Sequence, residues 1–491
     1  MMNGSAPRPT LYVTHPSRSL TMAFVFACIA ATVLTLPMVP HLDRVVLALV
    51  MVGSMVLYLT LRRQAESMDY LEVFLPYGLF EIMSFAFSAL YLTYSKLPVV
   101  PLRASLEPYL TSALALGAVG FLSFTAGYGL CVRGVTPSRT HGLMPRKILA
   151  FLLPGALGFV GYMADIRQNT QMLSGQGISP VFSALQQFIP LFLFAWSMVW
   201  QTFWAGHEPR LRNWPLLAVF ISMTLVLIYL TVGGKELTIT LLAFPALAYC
   251  SVRRAFPWKT VFVLLLVSIF LIFPIYNTFR FQNRHLDTSE RLDMTLQQAQ
   301  RWDAETYFDR SAEAFLRRMG VITSVSAIIR DTGRFVDFQY GRTLILAPIG
   351  FFIPRILWPE KPSIVIGREF GVTFQLVGPS DDETSVAVSA IGELYWNFHI
   401  PGVLIGMFIL GAGYRWYYLK YGMGTAFDPV RKSIYLALLS CALHAEGNVA
   451  AVVSGFIKSL FIFSALLFVL RRIGAVSYAR KEEEGAAEPA T

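Results

Sequence analysis

The stretch VAAVVSGFIKSLFIFSALLFVL, from Val449 to Leu470, decides the fold class. It carries a single charge, Lys458, and is followed at once by Arg471 and Arg472. A helix of about 20 apolar residues crosses the roughly 30 Å hydrocarbon layer of a bilayer. Only a helix satisfies its own backbone polar groups there, so the stretch reads as a membrane span with a basic anchor at its end.

Working outward, similar stretches fill the chain. Spans are expected near Leu20 to Pro37, Val45 to Leu61, Tyr70 to Tyr94, Tyr109 to Val132, Ile148 to Met163 and Val181 to Phe203. Others follow near Pro215 to Val232, Leu237 to Val252, Val261 to Phe279, Pro401 to Leu419 and Ser433 to Leu443. The composition agrees: 55% of the 491 residues are hydrophobic, 14% are charged and the mean hydropathy is +0.55, whereas soluble domains are about 25% charged. The expected fold is an all-α polytopic membrane protein of about twelve transmembrane helices. The first span has the basic flank of a signal peptide, but its length and the spans that follow favour a retained anchor.

Basic residues orient the bundle. With the N-terminus inside, the cytoplasmic side carries 21 Lys and Arg residues and the short outer loops only five, Arg44, Lys96, Arg103, Arg167 and Lys235. Short cytoplasmic loops are rich in Lys and Arg, so both termini are expected in the cytoplasm. The net charge of +10 follows from that topology, and nucleic acid is not an expected partner. Cys28, Cys131, Cys250 and Cys441 all fall within spans and never form a C-x-x-C spacing, which argues against a disulfide framework or a zinc site.

The expected organisation is a cytoplasmic segment 1–19, a nine-helix region 20–279, a large outer segment 280–385, a second membrane region 386–472 and a cytoplasmic tail 473–491. The outer segment is close to neutral, with thirteen basic and fourteen acidic residues. Its first part, Thr288 to Arg330, reads as helix, with Phe308, Ala312, Phe315, Leu316 and Met319 on one apolar stripe. Leu344 to Leu357 is apolar but short, and Pro348, Gly350 and Pro354 interrupt it, which suits an interfacial or re-entrant element. From Val386 a short helix sets Glu393 and Asn397 on one face before Pro401 opens the next span. Gly402-x-x-x-Gly406 there suits close helix packing.

The chain has no G-x-x-x-x-G-K-[ST], H-E-x-x-H or G-x-S-x-G, so ATP hydrolysis and the common hydrolase chemistries are not indicated. The outer side instead offers cations beside apolar anchors: Arg280, Arg284, Arg342, Arg355 and Lys361. Guanidinium groups pair with phosphate in a bidentate way, which suits a lipid-linked diphosphate, although each Arg can equally anchor a helix end at the headgroups. Glu393, His399, His444 and Glu446 lie at outer ends of spans, where a proton could be taken from an attacking hydroxyl. Lys458, about ten residues inside its span, is a costly intramembrane cation. It could meet phosphate, pair with Glu81 in the third span, or snorkel to an interface.

Tyr340-Gly341-Arg342 through Phe352-Ile353-Pro354-Arg355-Ile356-Leu357-Trp358-Pro359-Glu360-Lys361-Pro362, followed by Gly392-Glu393-Leu394-Tyr395-Trp396-Asn397-Phe398, resembles the oligosaccharide repeat-unit polymerases, the Wzy-type O-antigen polymerases. His399 stands where that family often has glycine after the N-F pair. The resemblance implies a GT-C-like architecture in a bacterial inner membrane, and transfer of a glycan from undecaprenyl diphosphate to the next lipid-linked repeat unit on the periplasmic face. Undecaprenyl-diphosphate-linked oligosaccharides and membrane lipid are then the partners, with a chain-length regulator and a flippase as candidate protein partners, and neither metal nor cofactor is called for. Arg280, Arg284, Arg342, Arg355, Lys361 and Lys458 would meet the diphosphate, and Glu393, His444 or Glu446 would accept the proton. Asn397, Trp358 and Tyr395 would orient the substrate. About twelve spans also suit a lipid-oligosaccharide flippase or other transporter, although no internal repeat is visible, and a ligase would share the donor but not the acceptor.

Overall fold

Small residues decide which helices can touch, and this chain places them where its two central helices meet. The computed structural model describes residues 41–64, 69, 71–94, 106–130, 143–145, 148–173, 179–206, 210–230, 235–253, isolated positions between 263 and 279, 288–303, 305–307, 309–311, 320–345, 366–379, 385–422, 428–443 and 447–478. In chain order the first half holds α1 (Leu42–Gln64), α2 (Phe74–Tyr94), α3 (Leu110–Leu130), β1 (Leu143–Pro145), α4 (Leu152–Leu173), α5 (Pro180–Ala205), α6 (Arg210–Leu230) and α7 (Lys235–Arg253). The second half holds α8 (Thr288–Gln300), α9 (Val321–Asp331), α10 (Gly367–Thr373), α11 (Ala390–Tyr417), α12 (Pro429–Ala442), α13 (Val449–Arg472) and β2 (Val476–Tyr478).

Six of these helices, α1, α2, α3, α5, α11 and α13, are long and apolar enough to cross a membrane, and two shorter apolar helices lie within α6 and α7. The protein is an α-helical membrane protein. Of the expected spans, Leu20 to Pro37 lies outside the described residues, and Val261 to Phe279 is described only at isolated positions. The span expected to stop near Met163 belongs to a helix that continues to Leu173, and the one at Ser433 begins earlier, at Pro429.

At the centre, α3 and α11 run parallel. A Cβ on Gly127 would sit 2.0 Å from the Phe408 carbonyl oxygen, and one on Gly411 2.1 Å from that of Phe124. Neither position tolerates a side chain, and close backbone approach is how helices gain packing where lipid supplies no hydrophobic drive. Ser123 Oγ donates to Leu404 O at 2.6 Å across the same seam. Phe74, Tyr77, Phe124 and Tyr414 stack around it, with the Tyr77 and Phe124 rings 4.4 Å apart.

A second set of helices, α4 to α7, packs around Phe192, Trp196 and Phe220. Here Pro245 lies inside α7 and has no N–H to give to Leu241 O, four residues earlier. The Trp196 indole supplies that bond instead, at 3.1 Å. A carbonyl freed inside a membrane needs such a partner, so this proline and this tryptophan act as a pair.

The reading of Thr288 to Arg330 as one helix is corrected. α8 ends at Gln300, and residues 301–303 are non-helical. Asp303 Oδ1 then accepts the Thr306 N–H at 2.9 Å, as a helix-starting residue does. The Thr306 hydroxyl, and with it that N–H, holds the Asp303 carboxyl below its usual range. A further start follows at Gly320, before α9. The stripe residues Phe308, Ala312, Phe315, Leu316 and Met319 lie outside the described residues.

Candidate functional site

The site is built on a helix that turns back on itself. α11 starts at Ser389, which sits at φ 61° and whose Oγ accepts the Gly392 N–H at 3.1 Å. Its helical path breaks at Phe398 and His399, the latter at φ 59° and ψ −152°, before Pro401 resumes it. In a straight helix Leu394 and Gly406 would be about 18 Å apart. A Cβ on Gly406 would instead lie 2.4 Å from Leu394 Cδ2, and one on Gly402 2.5 Å from Leu394 O. The first turns of α11 therefore press against its continuation, and Gly402 and Gly406 make room for them.

The break leaves carbonyls at the end of the first half without helical donors. The chain from Asp337 to Thr343 fills them. Gln339 N donates to Trp396 O at 3.1 Å and Tyr340 N to Asn397 O at 3.2 Å, while Trp396 Nε1 donates to Asp337 O at 3.1 Å. A turn follows with Tyr340 at φ 46° and Gly341 at φ 90°, a conformation that suits glycine. Asn397 closes the turn. Its Oδ1 accepts the Gly341 N–H at 2.8 Å, and its Nδ2 donates to Thr343 Oγ1 at 2.7 Å and to Glu393 O at 2.8 Å.

Glu393 and Asn397 are both fully buried. One Glu393 oxygen accepts Asn448 Nδ2 at 3.3 Å, and the other accepts the Ala450 N–H at 3.3 Å. Ala450 lies in the first turn of α13, whose N–H groups have no helical acceptor and favour an anion. The Thr343 hydroxyl also bonds this carboxylate. Glu393, expected at an open mouth, is thus the group that joins α11, the 337–343 chain and α13.

Arg342 opens the short helical turn after Gly341. Its side chain is exposed, and among the described residues it meets no acid. Arg330, eleven residues before Gly341, is engaged: it bonds Asp331 at 2.6 Å, which raises its pKa. Tyr395 is mostly buried, with its ring 4.6 Å from that of His399. α10 backs the site through Phe374, whose ring meets Trp396 at 5.2 Å. Arg280, Arg284, Arg355, Trp358, Lys361, His444 and Glu446 lie outside the described residues. Lys458 does not meet Glu81; its electrostatic partners are Asp165 of α4 and Cys441 of α12.

Sequence reasoning missed Thr343 and Asn448. Asn448 had a signal, since it directly precedes the apolar run from Val449, the usual place of a helix-capping residue. Among the described residues no cluster of metal-ligating side chains is present.

A different polar cluster lies at the far end of the α3–α11 pair. There Glu72 Oε1 accepts from Tyr58 OH at 2.7 Å, Arg415 NH1 at 2.9 Å and Tyr128 OH at 3.0 Å. The Arg415 guanidinium also lies 5.4 Å from the Tyr128 ring centre and 5.7 Å from that of Tyr418, which in turn donates to Asp69 at 3.0 Å. Every group in this cluster is matched within the protein.

No solved structure matches the chain. Residues 172–421 match a family model described as a domain of unknown function, DUF8712. That match contains Gly341 to Thr343 and Glu393 to Asn397, and Asn448 lies beyond it. Covering just over half of the sequence, it shows that the chain belongs to the DUF8712 family.

Proposed function

We propose that the protein is a glycosyltransferase of the bacterial inner membrane that polymerises lipid-linked oligosaccharide repeat units, using an undecaprenyl-diphosphate donor on the periplasmic face. Both termini lie in the cytoplasm in this reading, and about twelve helices cross the bilayer. One observation carries it. The two stretches that resemble the repeat-unit polymerases meet through the bond from Gly341 N to Asn397 Oδ1 at 2.8 Å, between residues 56 apart in sequence. That contact sets exposed Arg342 beside the Glu393 and Asn397 hub.

Arg342, with Arg355 and Lys361 from the same stretch, would neutralise the departing diphosphate, which then needs no proton of its own. Glu393 already accepts hydrogen bonds on both oxygens, so it serves here as a positioning residue. The sugar hydroxyl would lose its proton to His444 or Glu446, the ionisable side chains that shortly precede Asn448 in the chain.

Gel separation of surface glycan from a host carrying Arg342→Ala tests the proposal. Single-repeat products are expected, with the variant present in the membrane at wild-type abundance. A wild-type ladder removes Arg342 from the site. In a deletion strain, long unattached polymer would point to a ligase, and intermediates held on the cytoplasmic leaflet to a transporter.

A further inference from the structure

About a third of the way along α2 lies a carboxyl group that the proposed site does not use. Glu81 is 1% exposed. It sits between Gly78, where a Cβ would meet the Phe121 ring at 3.1 Å, and Phe85, which covers Gly117. Phe121 and Gly117 are in the middle of α3, so Glu81 lies far from either end of the span.

Among the described residues its surroundings hold no cation. Of the described arginines on helices packed against α2, Arg44 pairs with Glu107, Arg415 with Glu72 and Arg330 with Asp331. The titratable groups that face Glu81 are Tyr77, one turn earlier on α2, and Tyr414 of α11, with Cys441 of α12 behind Tyr414. Tyr414 OH is committed to Ala442 O at 2.8 Å. Glu81 Oε2 and Tyr77 OH are both buried, and among the described residues the Tyr77 phenol is the one side chain near enough to share a hydrogen with the carboxyl.

The backbone departs from regular helix at the same place. Residues Ile82–Phe87 form a π-helical segment that begins directly after Glu81. Such segments cost helix stability and cluster at functional sites. An ionised carboxylate with no cation beside it and a phenol as its one polar neighbour is among the most expensive groups to bury, whereas the neutral acid costs far less. A metal cation would need several further oxygen ligands, and two phenols do not supply them.

We infer that Glu81 is a proton-binding site inside the membrane, a carboxyl group held as the neutral acid at the junction of regular and π-helical backbone in α2. The ligand is the proton itself, and the site is separate from the Glu393 hub.

Dicyclohexylcarbodiimide, which partitions into lipid and reacts with protonated carboxyls, tests this on the full-length protein in lipid vesicles. Mass spectrometry of the digested protein should find the adduct on Glu81 at about pH 6 and progressively less of it as pH rises, since the reagent needs the neutral acid. Glu81→Gln should abolish it, and a water-soluble carbodiimide should not produce it. A second measurement keeps the inference open to failure should the reagent not reach the residue. A carboxyl that the fold keeps neutral must give up its proton as pH is raised, so on this inference wild type should lose thermal stability relative to Glu81→Gln. Parallel pH profiles for the two proteins, or equal labelling by the water-soluble reagent, would overturn the inference.

Discussion

Two buried carboxylates anchor opposite ends of the α3–α11 pair, and they are held in opposite ways. Glu72 is matched by a guanidinium and two phenols, all within the protein. Glu393 is held by a side-chain amide, a hydroxyl and the first-turn N–H of a helix, with no cation among the described residues. The first arrangement consumes its arginine. The second leaves Arg342 exposed beside it, able to meet a negative charge that the protein does not supply. Charge is closed at one end of the molecule and open at the other, and only the open end offers a site.

The largest test breaks the closed end. Arg415→Ala would strand Glu72 in a buried setting, at a cost of about 3–5 kcal/mol. Thermal unfolding in detergent should show the loss, and adding Glu72→Gln should restore part of it. A variant that melts like wild type would mean that the pair carries no structural weight. At the open end, Asn397→Ala removes the amide that bonds Gly341, Thr343 and the Glu393 carbonyl. Leaving those groups unmatched should cost about 2–3 kcal/mol. In the proposed polymerase role glycan chains should shorten as well, whereas Arg415→Ala should lower that activity only in proportion to folded protein.

The seam between the two ends sharpens the comparison further. Gly127→Ala drives a methyl group into the Phe408 carbonyl and should cost about 2 kcal/mol by overpacking. Gly413, on α11, has nothing within 4 Å of a Cβ. Gly413→Ala should therefore be neutral, or stabilise by about 0.5–1 kcal/mol through helix propensity. If both changes behaved alike in the same melting assay, the parallel packing of α3 on α11 would be wrong.

Much of this architecture was legible in residue order. The apolar run from Val449 and the basic pair after it place α13, and Pro401 with Gly402 and Gly406 marks the turning point of α11. Local patterns carry such information because hydropathy and backbone chemistry act on neighbours. The Glu393 contacts were not legible, since nothing in Gly392 to Phe398 says that Asn448 and Thr343 will meet that carboxylate from distant parts of the chain. The same holds for the Leu241 carbonyl, whose missing donor is announced by Pro245 while its replacement, Trp196, is not. In the outer segment a helical period was visible and its breaks were not, because Asp303 and Gly320 act through capping and backbone freedom, which apolar spacing does not register.

The small ladder between β1 and β2 pairs Leu143 with Tyr478 and Pro145 with Val476. These partners are made at very different times. When the ribosome has delivered β1 to the membrane, roughly 330 residues remain to be translated before its mate exists, a separation that puts this pairing among the last contacts the chain can form. Until then the loop that carries β1 must wait with its backbone groups in water, while the helices between are inserted. The ladder is therefore a closing stitch, and a ribosome stalled before Val476 would leave the bundle assembled but unfastened.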